Sequence, residues 1–435
     1  MAHARHRGRP SATLSKRQTR RSRLSVVGLF AGVGGIELGL ELAGHRTVLL
    51  CEVMPEARAV LRRARRREDE HRSFVRTKIV DDVTSRDFAR LLPDRFDVLT
   101  AGFPCQDLSQ VGRTAGIDGE RSGLIGHVLR VLARRKAAQR PTWIVLENVP
   151  FMRHLAGGEA MEVILTALGK LGYSWAYREI NTLAFGLPHR RKRLFIVACR
   201  NGAGDPRDVL LGGANRPKKT SVAGPGWTEG RACGFYWTEG NTGIGWADDA
   251  IPTLKGGSSV GIPSPPSIVL PGGDLVLPTL RDAERLQGFP ADWTLPAAEL
   301  LNGKGERLRW SLVGNAVSVP VAEWVGERLA NGGTAYDPSD DEVLLPFAKW
   351  PQSAWQMSSR TPRFVSRVND SPLAAAQPMS LLKLLRKERI RRTPLSTRAT
   401  AGFLSRFRAS NLLKRDPDHR QALIEVLERH LSSQD

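Results

Sequence analysis

The stretch AGFPCQDLSQ (101–110) follows the apolar run FDVLT (96–100) and so sets Cys105 just past the carboxyl end of an expected strand. Ligands bind at that end of the strands in open α/β sheets. Pro104 stiffens the loop, and Gln106, Asp107 and Ser109 keep it polar. A thiol in that setting is presented as a nucleophile, not packed as a core residue. A second apolar run, WIVLEN (143–148), carries Glu147 near its end. That carboxyl then faces the same crevice and can hold a proton there; capping the next helix is the plain alternative. In FGLPHRRKRLFIVA (185–198), Arg191 and Arg193 alternate into a third run. Guanidinium forks suit phosphate or carbonyl oxygens, although a basic strand edge would look the same.

A further cluster of chemistry-bearing residues lies upstream. LFAGVGGIELGL (29–40) has the glycines of a tight strand-to-helix turn that exposes backbone N–H groups at a helix start. It is not the GxGxxG fingerprint. Glu52 lies in the next apolar run, TVLLCEV (47–53), where an acid can accept from ribose hydroxyls. Asp82, in IVDDVT (79–84), ends the following run, where an adenine edge would lie. Singly, each acid reads as a helix cap. Together they describe a bound adenosyl group, with a nicotinamide dinucleotide as the competing ligand.

These residues need a scaffold that brings strand ends together. From 25 to 200, short continuous apolar runs (26–30, 47–53, 96–103, 143–148, 193–199) alternate with helical stretches at 54–67, 121–137 and 159–170. Runs of that kind are strands buried on both faces, so the expectation is an α/β fold with a doubly wound, mostly parallel sheet. Residues 1–24 read as a disordered basic arm. Residues 201–280 are rich in Gly, Pro, Ser and Trp, repeat WTEG at 227–230 and 237–240, and form a smaller irregular module. Helical patterning returns over 281–330, with a strong helix at 315–330. Residues 331–435 read as a basic extension, loop to about 378 and then helical around 380–391, 398–413 and 418–432.

The net charge of +21 points to a polyanionic partner, with genome-driven arginine enrichment as the alternative source. Four widely separated cysteines show no metal-ligand spacing, so no metal is expected, and they read as reduced thiols. No run is long enough to span a bilayer and the N-terminus lacks an apolar signal core. The expected location is cytoplasmic, beside the nucleoid if the partner is DNA.

LFAGVGG, FPCQ, ENV, the alternating arginines before a strand, RLQGFP (285–290) and VGNAV (313–317) stand in the order and approximate spacing of the cytosine-C5 DNA methyltransferases. The chain resembles that family over roughly residues 25–330. The resemblance implies methyl transfer from S-adenosylmethionine to C5 of cytosine in double-stranded DNA, on a Rossmann-like fold, with the target base flipped out of the helix. It assigns Cys105 as the nucleophile toward C6, Glu147 to N3 and the exocyclic amine, and Arg193 to the cytosine O2 with Arg191 in support. On the cofactor side it assigns Phe30, Gly32, Gly34, Gly35, Ile36, Glu52, Val53, Asp82, Val83, Pro104, Asn315, Ala316 and Val317. Gln106, Ser109, Gln110 and Arg113 become candidate DNA contacts on a closing loop. Residues 201–280 become the target-recognition domain, with Thr253 and Leu254 of TLKGG (253–257) as candidate contacts. The segment 281–330 then returns to complete the catalytic domain. Gly28 stands where the family usually has Asp, and His189 where it usually has Gln. A monomer is expected, with a cognate restriction endonuclease as a functional partner. Two other readings are an RNA cytosine methyltransferase of the same fold and a catalytically silent DNA-binding relative.

Overall fold

The computed structural model describes residues 23–67, 69, 71–104, 123–213, 228, 230–236, 245–255, 265–371, 379–387, 390–414 and 416–433. Cys105, Gln106, Ser109, Gln110 and Arg113, nearly all of the basic arm and most of the WTEG repeat lie outside the described residues.

The apolar runs become strands joined by helices: β1 (Ser25–Leu29), α1 (Gly35–Leu42), β2 (Arg46–Cys51), α2 (Pro55–Arg66), β3 (Lys78–Val80), α3 (Phe88–Leu91), β4 (Val98–Gly102), α4 (Gly123–Arg134), β5 (Trp143–Asn148), α5 (Glu159–Lys170), β6 (Tyr173–Asn181), β7 (His189–Arg190) and β8 (Lys192–Arg200). Side chains alternate across a strand, so each strand feeds two cores. Val27, Leu99, Ile144 and Ile196 pack on one face of the sheet with Leu129 of α4 and Ile164 of α5. Val26, Val98, Val145 and Val197 pack on the other with Ile36 and Leu40 of α1. Burial on both faces explains why these runs read as continuously apolar.

Strands β3, β2, β1, β4 and β5 lie side by side and parallel. The chain order therefore reverses between β1 and β4, and that switch opens a crevice beyond the strand ends. Beyond β5 the sheet turns antiparallel, through β8 and then β6.

After β8 come α6 (Pro206–Leu210), β9 (Cys233–Phe235), β10 (Ala247–Asp248), β11 (Ile251–Pro252), β12 (Ser267–Val269) and β13 (Leu275–Val276). Four of these form a separate small sheet in the order β10-β9-β12-β13. α6 does not join it; Val209 and Leu210 sit in the core of the large sheet. The chain then returns through α7 (Leu280–Leu286), α8 (Leu295–Leu300), α9 (Glu306–Asn315) and α10 (Val319–Asn331). The helix expected over 315–330 is α10, which starts only at Val319, while Asn315 ends the preceding α9. The two helices break at Ala316, which is extended (φ −63°, ψ 150°), and Pro320 opens the second.

The reading of 331 to about 378 as loop needs correction. β14 (Glu342–Val343), β15 (Ser353–Gln356) and β16 (Phe364–Val365) extend the large sheet, β15 pairing antiparallel with β6 from Ser353 opposite Arg178 to Gln356 opposite Trp175. Strands of two to four residues carry almost no periodic signal. They exist because β6 offers a free edge and Trp355 stacks on Phe364 at 4.4 Å. Lastly α11 (Leu381–Arg386), α12 (Thr397–Ala409) and α13 (Pro417–Ser432) follow. Phe403 and Phe407 of α12 and Leu423 and Leu427 of α13 bury against Cys233, Phe235, Val269 and Leu275 of the small sheet. Among the described residues no helix is long and apolar enough to cross a membrane.

Candidate active site

The glycine turn between β1 and α1 requires left-handed backbone at Phe30 (φ 52°), Gly32 (φ 54°) and Gly34 (φ 85°). Gly34 caps α1, and a Cβ there would press on Phe74 and Leu61. Its role is the turn itself. A Cβ on Gly35 would stand 2.4 Å from the Val317 carbonyl oxygen, so the turn and the segment after α9 touch backbone to backbone. Gly32 donates its N–H to Glu52 Oε2 at 2.7 Å, and Met54 donates to Glu52 Oε1 at 2.9 Å. Each carboxylate oxygen keeps a lone pair free. Asp82 Oδ1 accepts from both the backbone and the hydroxyl of Thr84 at 2.7 Å, which hold its carboxyl below the ordinary value.

Together these elements enclose a cavity of about 510 Å³ beyond the strand ends of the parallel half-sheet. Every cofactor-side residue singled out in the sequence lines it except Gly34. The wall also includes Glu147, and it includes Glu37, which sequence reasoning passed over. The size suits a nucleoside-bearing ligand. Carboxylates toward β2 and β3, open glycine backbone at the start of α1 and a mostly apolar remainder fit an adenosyl group with an amino-acid tail.

Glu147 sits on β5 opposite Gly102 of β4 and is 7% exposed. Arg193 Nε lies 3.1 Å from Glu147 Oε1, and Arg193 Nη1 donates to the Lys192 carbonyl oxygen at 2.8 Å. Burial pushes the Glu147 carboxyl up, while Arg193 and Arg191 pull it back. The result is a carboxyl that takes up a proton more readily than an exposed one. Asn148 Nδ2 donates to the Phe103 carbonyl oxygen at 3.0 Å and ties the end of β5 to the residues entering Pro104. That bond anchors the stem from which Cys105 follows. The three described cysteines are buried, and burial pushes Cys51 and Cys199 up to about 12. They are packing thiols.

Comparison with known proteins agrees with this geometry. The family model for C-5 cytosine-specific DNA methylase matches residues 24–220. The Type II methyltransferase M2.BsuMI of Bacillus subtilis (strain 168) is 42% identical over 385 residues, covering 88% of this chain and 93% of that protein. The chain belongs to the C-5 cytosine-specific DNA methylase family. It is a DNA cytosine-5-methyltransferase. The Type II methyltransferase M.Bsp6I of Bacillus sp. (strain RFL6) is 28% identical, covering 70% of this chain and 98% of its own. In three dimensions, the Dnmt2 methyltransferase of S. pombe superposes with a TM-score of 0.50 at 20% identity, over 71% of this chain and 99% of that one. That likeness concerns the fold.

In this methylase, two residues placed near the chemistry by sequence serve as brackets. Arg191, grouped with Arg193 above, is fully buried and donates to the carbonyl oxygens of Ala316 at 2.7 Å and Leu254 at 3.4 Å. It positions the cavity wall against the small-sheet module instead of reaching a substrate. His189 is likewise buried. Burial holds its ring well below the ordinary value, so it is neutral: Nδ1 donates to the Leu286 carbonyl oxygen at 3.1 Å and Nε2 accepts from the Leu254 N–H at 3.1 Å. A neutral imidazole offers one donor and one acceptor, as an amide side chain does, which accounts for His at this position. Leu254 was a candidate DNA contact. The methylase instead buries it, 2% exposed, in a cluster with Ile251, Ile268 and Leu286. Thr253 is half-buried and donates to the Arg190 carbonyl oxygen at 2.9 Å. RLQGFP and VGNAV also meet: Gln287 Nε2 donates to the carbonyls of Val313 and Ala316, and Ser318 donates to Gln287 Oε1 at 2.7 Å.

Proposed function

We propose that this methyltransferase methylates C5 of cytosine within a specific duplex DNA sequence through a covalent Cys105–C6 adduct, using S-adenosylmethionine held in the 510 Å³ cavity. The observation that carries the reading is the sharing of one cavity wall by the adenosyl-type acids and Glu147, with Arg193 3.1 Å from its carboxylate. Glu52 would accept from the ribose, Asp82 and Val83 would meet the adenine edge, and Phe30 would lie against its face. Gly32, Gly35, Asn315, Ala316 and Val317 would surround the amino-acid end. Bound S-adenosylmethionine supplies a methyl group activated by a sulfonium.

The protein's task is to make C5 nucleophilic. Cytosine inside a duplex is stacked, so the base must first flip out at a cost of about a few kcal/mol. The Cys105 thiolate then adds at C6, and the C5=C6 electron pair becomes available at C5. Arg193 holds O2. Glu147 keeps a proton at N3, a role suited by the upward push that burial gives its carboxyl. After C5 is methylated, a base takes its proton, the N3 proton returns to Glu147, and the Cys105–C6 bond breaks to restore the aromatic ring and the thiolate. The small-sheet module, which follows α6, reads the target sequence through base-edge contacts. The names of the relatives support a place in a Type II restriction–modification pair.

Bisulfite sequencing of DNA from cells expressing the wild-type chain should reveal one methylated sequence context, absent with Cys105→Ala. Methylation that survives in Cys105→Ala would rule out the covalent route.

A further inference from the structure

Glu37 is fully buried in the first turn of α1, yet it belongs to the cavity wall. Thr100 Oγ1 donates to Glu37 Oε1 at 2.5 Å, whereas Glu37 Oε2 has no hydrogen-bond partner among the described residues. A buried carboxylate oxygen without a donor is unfavourable, so its retention needs a reason. The space is purpose-made. A Cβ on Gly28 would stand 2.4 Å from Glu37 Oε1 and 2.7 Å from its carboxyl carbon, so any larger residue at 28 would evict the carboxylate. The other acids described above have their donors: Glu52 from Gly32 and Met54, Asp82 from Thr84, Glu147 from Arg193.

Strand order says what lies over Glu37. The nucleoside-side acids follow β2 and β3, and Glu147 stands on β5, with β1 and β4 between them. A ligand that spans from one group to the other must lay its remaining portion across the ends of β1 and β4. Gly28 of β1 and Thr100 of β4 are paired just inside those ends, and Glu37, packed on both, reaches the cavity wall above them.

We propose that Glu37 binds the α-ammonium group at the amino-acid end of S-adenosylmethionine, and of its product S-adenosylhomocysteine, by accepting an ammonium N–H at Oε2. Thr100 anchors the other oxygen and Gly28 keeps the space open. This rests on the adenosyl reading of the cavity. Burial, aided by the charges of Glu41 and Glu52, raises the Glu37 carboxyl to about 7 in the absence of a counter-cation.

The test is equilibrium binding by the full chain of three ligands: S-adenosylhomocysteine, its desamino analogue and 5′-methylthioadenosine. Glu37→Gln keeps the shape and the Thr100 contact but removes the charge. It should weaken S-adenosylhomocysteine about 10- to 100-fold and leave 5′-methylthioadenosine and the desamino analogue unchanged. Unchanged affinity for S-adenosylhomocysteine, or equal loss of all three ligands, overturns the assignment. Equal wild-type affinity for S-adenosylhomocysteine and its desamino analogue overturns it without any variant. A wild-type chain that binds none of the three overturns the adenosyl reading itself.

Discussion

Replacing Glu37 by Gln should change how stability depends on pH in the ligand-free protein. An ordinary glutamate loses its proton near 4.5; burial raises the folded-state value of Glu37 to about 7. Below pH 4.5 both states hold the proton and the group contributes no difference. As pH rises, the unfolded chain ionises first and gains, while the folded chain keeps its proton until about pH 7. Wild-type stability is therefore lost across that window. At about 1.4 kcal/mol per pKa unit, the full penalty comes to about 3 kcal/mol, most of which falls between pH 5 and pH 8. Glutamine has no such proton. Urea denaturation at pH 5, 6.5 and 8 should show the wild type falling by about 2–3 kcal/mol relative to Glu37→Gln. Parallel pH profiles, or a wild type that gains with pH, would refute the view that burial governs this carboxyl.

Glu147→Gln should lower methyl incorporation by about 10²- to 10⁴-fold. Wild-type activity should also decline with rising pH as the raised Glu147 carboxyl loses its proton, a limb that the glutamine variant lacks. Gly35→Ala should weaken S-adenosylhomocysteine binding in a titration, because the new methyl must push back the Val317 carbonyl, a strain of about 1–3 kcal/mol. Phe403→Ala should destabilise the small-sheet module by about 3–5 kcal/mol. In hydrogen exchange that loss should appear in β9 and β12 and leave β1 and β4 protected.

The strands that carry the site were legible because each is buried on both faces, and a run such as TVLLCEV has few other uses. The crevice residues were legible for a related reason: Glu52, Asp82 and Glu147 are polar residues at the ends of otherwise apolar runs. Glu37 was not, since a lone acid inside a helix usually faces solvent. Its clue was the absent side chain of Gly28, on a different element, which only the packing joins to it. Arg191 shares its face with Arg193, as their spacing suggests, but the carbonyls that hold it come from Leu254 and Ala316, far along the chain, and only the packing reveals them. β14 to β16 escaped notice because their stability comes from the edge of β6 and not from their own pattern. The basic composition of 331–435 likewise hid what α12 and α13 pack against. Phe403, Phe407, Leu423 and Leu427 show that one face of the pair is a lid on the small sheet.

The contact of Gly35 with Val317 has a consequence for synthesis. The cavity wall begins at Phe30 and closes only when residues 315–317 fold back on the glycine turn. Between those points the ribosome makes the whole small-sheet strand set. A growing chain that already contains Glu52, Glu147 and Arg193 still lacks one wall of the pocket. Its last wall is delivered by a segment that follows the small-sheet module in the chain. A chain that ends before Val317 therefore holds the catalytic-side acids without a closed cavity.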